Sequence, residues 1–280
     1  MQFVGLQIGH YSLQKLIGRG GMGEVYLAED QKLKRTVALK IIRTDILFNT
    51  DPAKAKDAHR SFKREANAIA KMNNHPFVLP LYEYGEKIVE EISVAYMVTP
   101  FCQAGSLDIW LKQHAPLSLS LVLQILRQAS DALQYAHDRN LIHKDVKPAN
   151  FLLRESRTNN SFDVLLADFG IASFINADAT TSTSRVHGSP LYMAPEQWEG
   201  SVVPATDQYA LAVMAYQLLT GQQPFQGNEW QLMYQHCNIE PQPPGNIKPS
   251  LPGEIDKVVL KALCKKPEDR YSHIQDFVYA

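Results

Sequence analysis

The sequence predicts an α+β chain of two lobes, a small β-rich N-terminal lobe and a larger helical C-terminal one. Between Tyr11 and Ile42 the residues alternate apolar and polar or are dense in strand formers. Beyond Ser106 the apolar residues recur every three or four positions. This change of period puts the boundary near Pro100–Gly105, with the first lobe over about residues 1–101 and the second over about 106–280.

In the first lobe, Tyr11–Leu16, Val25–Ala28 and Val37–Ile42 read as strands. Residues 54–72 read as a basic helix with Phe62, Ala66, Ile69 and Ala70 on its apolar stripe, ended by His75-Pro76. Strands return over Val78–Tyr84 and Ile92–Phe101. In the second lobe, Leu119, Val122, Leu126, Ala129, Leu133 and Ala136 mark a one-sided helix. Ala210–Leu219 is apolar nearly all round, which predicts a buried central helix stopped by Gly221. Phe151–Leu153 and Val164–Ala167 read as short strands. Residues 171–189 and the proline-rich 240–252 read as loops.

Composition narrows the function classes. With 45% hydrophobic and 20% charged residues the chain is not of disordered type. Its 28 basic and 29 acidic residues leave a net charge of −1, so electrostatic binding to nucleic acid or anionic membrane is not expected. Cys102, Cys237 and Cys264 lie far apart with no C-x-x-C, which argues against a disulfide framework or zinc site. The longest apolar run, Tyr209 to Tyr216, is far short of the ~20 residues that span a bilayer, and the N-terminus lacks a signal-peptide pattern. A soluble, cytoplasmic chain without a membrane segment is expected.

The chemistry is carried by short segments. Gly18-Arg19-Gly20-Gly21-Met22-Gly23 fits G-x-G-x-x-G, a pattern shared with dinucleotide-binding folds. Here the glycines stand between two strand readings, as in a hairpin whose backbone N–H groups lie over phosphates, rather than between a strand and a helix. Lys40 sits in an apolar strand run, where a buried cation needs an anionic partner; either it is an edge lysine that reaches solvent, or Glu65, 25 residues on, is a candidate for that partner. His143-Lys144-Asp145-Val146-Lys147-Pro148-Ala149-Asn150 puts a carboxylate, a cation two residues on and a carboxamide five residues on into one segment. These supply a base, a phosphate counter-charge and an oxygen ligand for a hard cation. Asp168-Phe169-Gly170 follows a strand and adds a second oxygen ligand.

Taken in order, the glycine loop, Val37-Ala38-Leu39-Lys40, Glu65, the 143–150 segment, Asp168-Phe169-Gly170 and Ala194-Pro195-Glu196 resemble a protein kinase over nearly the whole chain, 1–280. The loop and the stretch Gly188–Gln197 are most similar to the eukaryote-like, Hanks-type Ser/Thr kinases of bacteria. That resemblance implies a bilobal protein-kinase-like fold with a hinge near 100–105. It implies transfer of the ATP γ-phosphoryl group to protein hydroxyls, with Mg²⁺ or Mn²⁺ and with protein substrates, and autophosphorylation. Asp145 would orient and deprotonate the substrate hydroxyl, Lys147 would face the γ-phosphate, and Asn150 and Asp168 would hold the metal. Lys40, paired with Glu65, would contact the α- and β-phosphates. Ile17, Gly18, Gly20, Gly23, Val25, Ala38, Thr99, Cys102 and Leu152 would line the nucleotide, with Thr99 at the gatekeeper position. Glu196 and Arg270 would form a buried ion pair and Asp207 an acidic anchor. Thr180, Thr181, Ser182, Thr183 and Ser184 fall in the activation segment as candidate phosphorylation sites.

The sequence departs from the family pattern at three places. Lys144 replaces the arginine of H-R-D and offers a point charge instead of a planar fork. Pro100 stands where glutamate is common, and Ser189 where threonine is usual. Two rival readings, a binding module with a dead site and a small-molecule phosphotransferase, are disfavoured by the intact Lys40, Asp145, Asn150 and Asp168 and by the 188–196 segment.

Overall fold

A computed structural model describes residues 3–20, 23–43, 70, 72, 74–90, 92–155, 162–168 and 188–280. Six antiparallel strands make up the first sheet: β1 (Gln7–Ile8), β2 (Tyr11–Gly20), β3 (Gly23–Asp30), β4 (Arg35–Arg43), β5 (Glu83–Val89) and β6 (Ile92–Pro100), in the order β1-β2-β3-β4-β6-β5. The second part holds α1 (Leu107–His114), α2 (Leu119–His137), the strand pair β7 (Phe151–Glu155) and β8 (Phe162–Leu166), α3 (Pro195–Trp198), α4 (Pro204–Thr220), α5 (Glu229–Asn238), α6 (Pro244–Ile247), α7 (Glu254–Ala262) and α8 (Ile274–Tyr279). The chain divides into two compact units, one centred on the sheet and one on the helices, with His75–Val78 belonging to the helical unit.

The period-2 pattern of β3, β4 and β6 separates two faces of the first sheet. Tyr26, Ala28, Val37, Leu39, Ile41, Val94, Tyr96 and Val98 are buried in one cluster with Phe3, Ile8, Tyr11 and Leu13. Each buried aliphatic side chain contributes about 2 kcal/mol by removal from water. Val25, Ala38, Lys40, Met97 and Thr99 carry the opposite face, because Val25 pairs with Lys40, Lys40 with Met97 and Ala38 with Thr99. Asp30 is fully buried at the β3–β4 turn, where it accepts the N–H groups of Lys32 and Leu33 and the Nε–H of Arg35.

In the helical unit α2 buries Val122, Leu126, Ala129, Leu133 and Ala136, the expected stripe, while Leu119 is half-buried. α4 is buried all round from Thr206 to Tyr216 and ends at Gly221, whose φ of 79° is the left-handed cap that glycine supplies without strain.

Several local expectations change. Of the expected strand Val78–Tyr84 only Glu83 and Tyr84 are strand, at the start of β5. Val78 makes a single bridge to Leu166, and ladder pairing starts only at Glu83. Pro80 has no N–H to give a ladder, so Leu79 and Leu81 are buried without one. The proline-rich 240–252 segment contains a short helix, α6, with Pro244 at a first-turn position where its missing N–H costs nothing. Most of the expected helix 54–72 lies outside the described residues. Of its stripe only Ala70 is described, helical and exposed, so it is not part of a buried face. Most of the 171–189 loop also lies outside them.

Candidate active site

The segment 143–150 is held by apolar and polar anchors together. Val146 is buried and Phe151, which follows the segment, is wholly buried, so the backbone is pinned at both points. His143 is buried, and its two ring bonds agree on one tautomer: Nδ1 accepts the Asp145 N–H at 3.3 Å and Nε2 donates to the Ala167 carbonyl at 2.8 Å. Ala167 in turn donates its N–H to the Asn150 carbonyl at 2.9 Å, extending the β7–β8 pairing. These bonds place Ala167 against Asn150, and Asp168 is the next residue in the chain. Asp168 is exposed, with a left-handed φ of 58°.

The Asp145 carboxylate has three donors. Ser189 N–H reaches Oδ1 at 3.1 Å, while Lys147 Nζ at 2.7 Å and Asn150 Nδ2 at 3.1 Å reach Oδ2. Lys147 also donates to Ser189 Oγ at 2.7 Å, so the hydroxyl that replaces the family's threonine is used. Asn150 Nδ2 lies 2.7 Å from the Asp145 carbonyl as well. Its amide nitrogen is thus turned inward, which leaves its oxygen as the donor atom facing away from Asp145. A carboxamide oxygen beside a carboxylate is the donor chemistry of a hard divalent cation that takes its remaining ligands from phosphates and water. Among the described residues no group of three or more His, Cys, Asp or Glu is placed to hold a metal ion.

Lys144 has a left-handed φ of 71°, which costs a non-glycine residue on the order of 1 kcal/mol. It is held there by Asp207 at the start of α4. Oδ1 accepts the Lys144 N–H and Oδ2 the His143 N–H, both at 2.8 Å, and His137 Nε2 lies 2.8 Å from Oδ2. Asp207 is fully buried. Burial alone would raise its carboxyl, but the hydrogen bond and charge of His137 and the interactions with His143 outweigh it, so the group stays below the usual carboxylate range. Farther along, Arg270 and Glu196 form a two-bond fork, Nη1 to Oε1 and Nη2 to Oε2, each 2.8 Å, as expected for that pair.

On the sheet, Val25, Ala38, Lys40 and Thr99 share the face opposite the core. Gly23 has φ 137°, a conformation that demands glycine. At Gly18 a Cβ would meet Val25 at an ordinary 3.7 Å, so the hairpin itself does not require glycine there. Gly20 lies two residues on, at the tip where β2 ends. Ile17 is 41% exposed and Cys102 is half-buried. Leu152 is half-buried in β7 and bridges to Ser106, within the helical unit. The structure therefore assembles the site residues as two sets, one in each unit. Glu65, Phe169, Gly170 and the cluster Thr180, Thr181, Ser182, Thr183 and Ser184 lie outside the described residues.

Sequence reasoning missed His137 and Gln197. His137 ends α2, where a histidine reads as a simple partner for the helix dipole. Gln197 follows the A-P-E triplet and reads as an ordinary polar helix residue, yet it is buried with its Nε2 2.8 Å from the Lys144 carbonyl. Neither contact leaves a periodic signal, since each joins residues far apart in the chain.

The geometry agrees with what comparison with known proteins finds. A family model described as protein kinase domain matches residues 11–278. The chain is 36% identical to the serine/threonine-protein kinase PknB of Mycobacterium tuberculosis over 265 residues, 93% of this chain and 40% of that protein. It is 36% identical to a probable serine/threonine-protein kinase of Streptomyces coelicolor over 94% of this chain and 38% of that one. It thus spans about two-fifths of the length of the curated relatives it matches. The crystal structure of the Mycobacterium tuberculosis PknI kinase domain is similar over 99% of this chain and 96% of that chain, with TM-score 0.73 and 28% identity. Among the described residues no helix is long and apolar enough to cross a membrane. With this match reaching from the first long strand to the last helix, the chain belongs to the protein kinase family.

Proposed function

We propose that the chain transfers the γ-phosphoryl group of ATP to Ser or Thr hydroxyls of proteins, itself included. The observation that carries this reading is the Asp145 carboxylate held by Lys147, Asn150 and the Ser189 N–H. Asp145 orients the substrate hydroxyl and takes its proton as the oxygen bonds to phosphorus and the bond to ADP breaks. Lys147, the cation nearest that carboxylate, offsets charge on the group in transfer. Lys40, with Glu65 as its helix partner, positions the α- and β-phosphates. Ile17, Gly18, Gly20, Gly23, Val25, Ala38, Thr99, Cys102 and Leu152 line the nucleotide. Asn150 and Asp168 would hold a divalent cation, Mg²⁺ or Mn²⁺, which would neutralise phosphate charge. Catalysis is then mainly positioning and electrostatics. Similarity to the named serine/threonine kinases supports the choice of hydroxyl. The wide spacing of the three half-buried cysteines along the chain accords with a reducing cytoplasm.

The test is incubation with ATP-Mg²⁺ and a generic protein such as casein, followed by mass spectrometry, with Asp145→Asn as control. Phosphoserine or phosphothreonine on casein and within Thr180–Ser184, absent in the variant, is the expected result. Equal incorporation by both chains would sink the reading.

A further inference from the structure

Lys144 is the residue whose backbone decides where Asp145 points, and both of its backbone groups are held by side chains from elsewhere. Its N–H is taken by Asp207. Its carbonyl accepts from Gln197 Nε2 at 2.8 Å. That carbonyl belongs to the peptide unit whose nitrogen is Asp145 N, and Asp145 N–H is held on the other side by His143 Nδ1 at 3.3 Å. The peptide plane is therefore gripped from both ends, and turning it would swing the Cα–Cβ bond of Asp145.

Gln197 is suited to this grip. It is 8% exposed and stands in α3 next to Glu196, which the Arg270 fork anchors. Its amide, with the Met193 side chain, also occupies the room a Gly188 side chain would need. A Cβ on Gly188 would lie 3.1 Å from Gln197 Nε2 and 3.5 Å from the Lys144 carbonyl oxygen. Gly188 precedes Ser189, whose N–H holds the Asp145 carboxylate. The Gln197 amide thus holds the backbone behind Asp145 and stands where a side chain at Gly188 would have to go.

We propose that Gln197 is a positioning residue for phosphotransfer: through the Lys144 carbonyl it sets the direction of the Asp145 carboxylate. The inference rests on the phosphotransfer reading above. It assigns Gln197 no contact with ATP or substrate, so it predicts an effect on kcat rather than on binding.

The experiment measures initial rates of the whole chain with ATP-Mg²⁺ and casein, with thermal melting alongside, for wild type, Gln197→Met, Gln197→Glu and Asp145→Asn. Methionine keeps the length without a donor; glutamate keeps the shape and turns an oxygen toward the carbonyl. The expected result is a kcat about 10-fold lower in Gln197→Met and lower still in Gln197→Glu, with both KM values within about threefold, as a small misplacement of a catalytic group entails. A second arm uses Lys144→Gly, in which a left-handed backbone carries no Cβ penalty. In that background Gln197→Met should cost less than about threefold. The inference is overturned if Gln197→Met keeps kcat within twofold of wild type. It is equally overturned if the loss is the same factor in the glycine background, or follows only the unfolded fraction. A wild type no more active than Asp145→Asn would instead overturn the phosphotransfer reading, and this inference with it.

Discussion

Asp207 Oδ1 accepts the backbone N–H of Lys144 at 2.8 Å, and Lys144 at that point has a φ of 71°. A residue in a costly backbone conformation is thus tied to the first turn of α4, which is buried all round from Thr206 to Tyr216. The hold does not involve the lysine side chain. Replacement of the H-R-D arginine by Lys144 consequently leaves this backbone arrangement unaffected.

Asp207→Asn should weaken the fold by about 3 kcal/mol, because one amide oxygen cannot serve the two N–H groups and His137 that the carboxylate serves, and its NH₂ faces donors. The pH dependence has a definite sign. The Asp207 carboxyl titrates lower in the folded than in the unfolded chain, so its contribution is complete above about pH 4 and is lost as the pH falls below that. Melting curves of wild type and variant should converge toward acid. Parallel curves down to pH 3 would contradict this account.

His236 should make the protein acid-sensitive in a higher window. It is fully buried, with Nδ1 2.9 Å from the Tyr209 hydroxyl and its ring edge-on to Phe225. Burial first, and the Lys265 cation second, push it down to about 4 from its ordinary 6.5, although the carbonyls of Leu191 and Pro190 act the other way. Between those values His236 binds more protons in the unfolded chain, so its own contribution is constant above pH 6.5 and falls by about 3 kcal/mol toward pH 4. Urea denaturation at pH 7 and pH 4.5 measures the slope. His236→Phe should flatten it, and an unchanged slope would place the sensitive group elsewhere.

Arg270→Lys should cost about 3 kcal/mol. The guanidinium side chain has no solvent exposure and, besides the Glu196 fork, donates to the carbonyls of Cys264, Ala205 and Lys265. An ammonium cannot reach so many partners from one position, and Glu196 keeps a buried charge with a poorer partner. Calorimetry should find the melting temperature lower by several degrees. A change below one degree would mean the fork is dispensable.

Lys40→Met should lower phosphotransfer by about 100-fold, equivalent to about 3 kcal/mol, and leave the fold intact. Lys40 stands on the sheet face opposite the core, so the substitution removes a charge without opening a cavity among Tyr26, Leu39 and Val98. Circular dichroism and rate assays on the same sample decide the matter, and near-normal turnover would remove Lys40 from the site.

Much of the architecture was legible in the chain because it rests on local physics. Strand alternation from Tyr11 to Ile42, the three-and-four spacing of α2 and the unbroken apolar character of α4 follow from side-chain periodicity. The segment proposed as catalytic was legible because carboxylate, cation and carboxamide lie within one stretch, Asp145 to Asn150. Local pattern misled where a backbone partner was needed. Leu79 and Leu81 are apolar and buried as a strand would bury them, but Pro80 denies them a ladder.

What the sequence alone determined about this protein is therefore its family, its succession from a sheet to a helical part and the residues Lys147 and Asn150 beside Asp145. Only the tertiary structure decided which distant side chains hold those groups in place. Asp207 comes to Lys144 from 63 residues away, Gln197 from 53, and Arg270 reaches Glu196 across 74. No periodicity encodes such pairs. For Asp207 and Gln197 the partner is a backbone N–H or carbonyl of a kind almost every residue possesses, for Arg270 a carboxylate, and burial makes leaving any of them unsatisfied costly enough to select one arrangement.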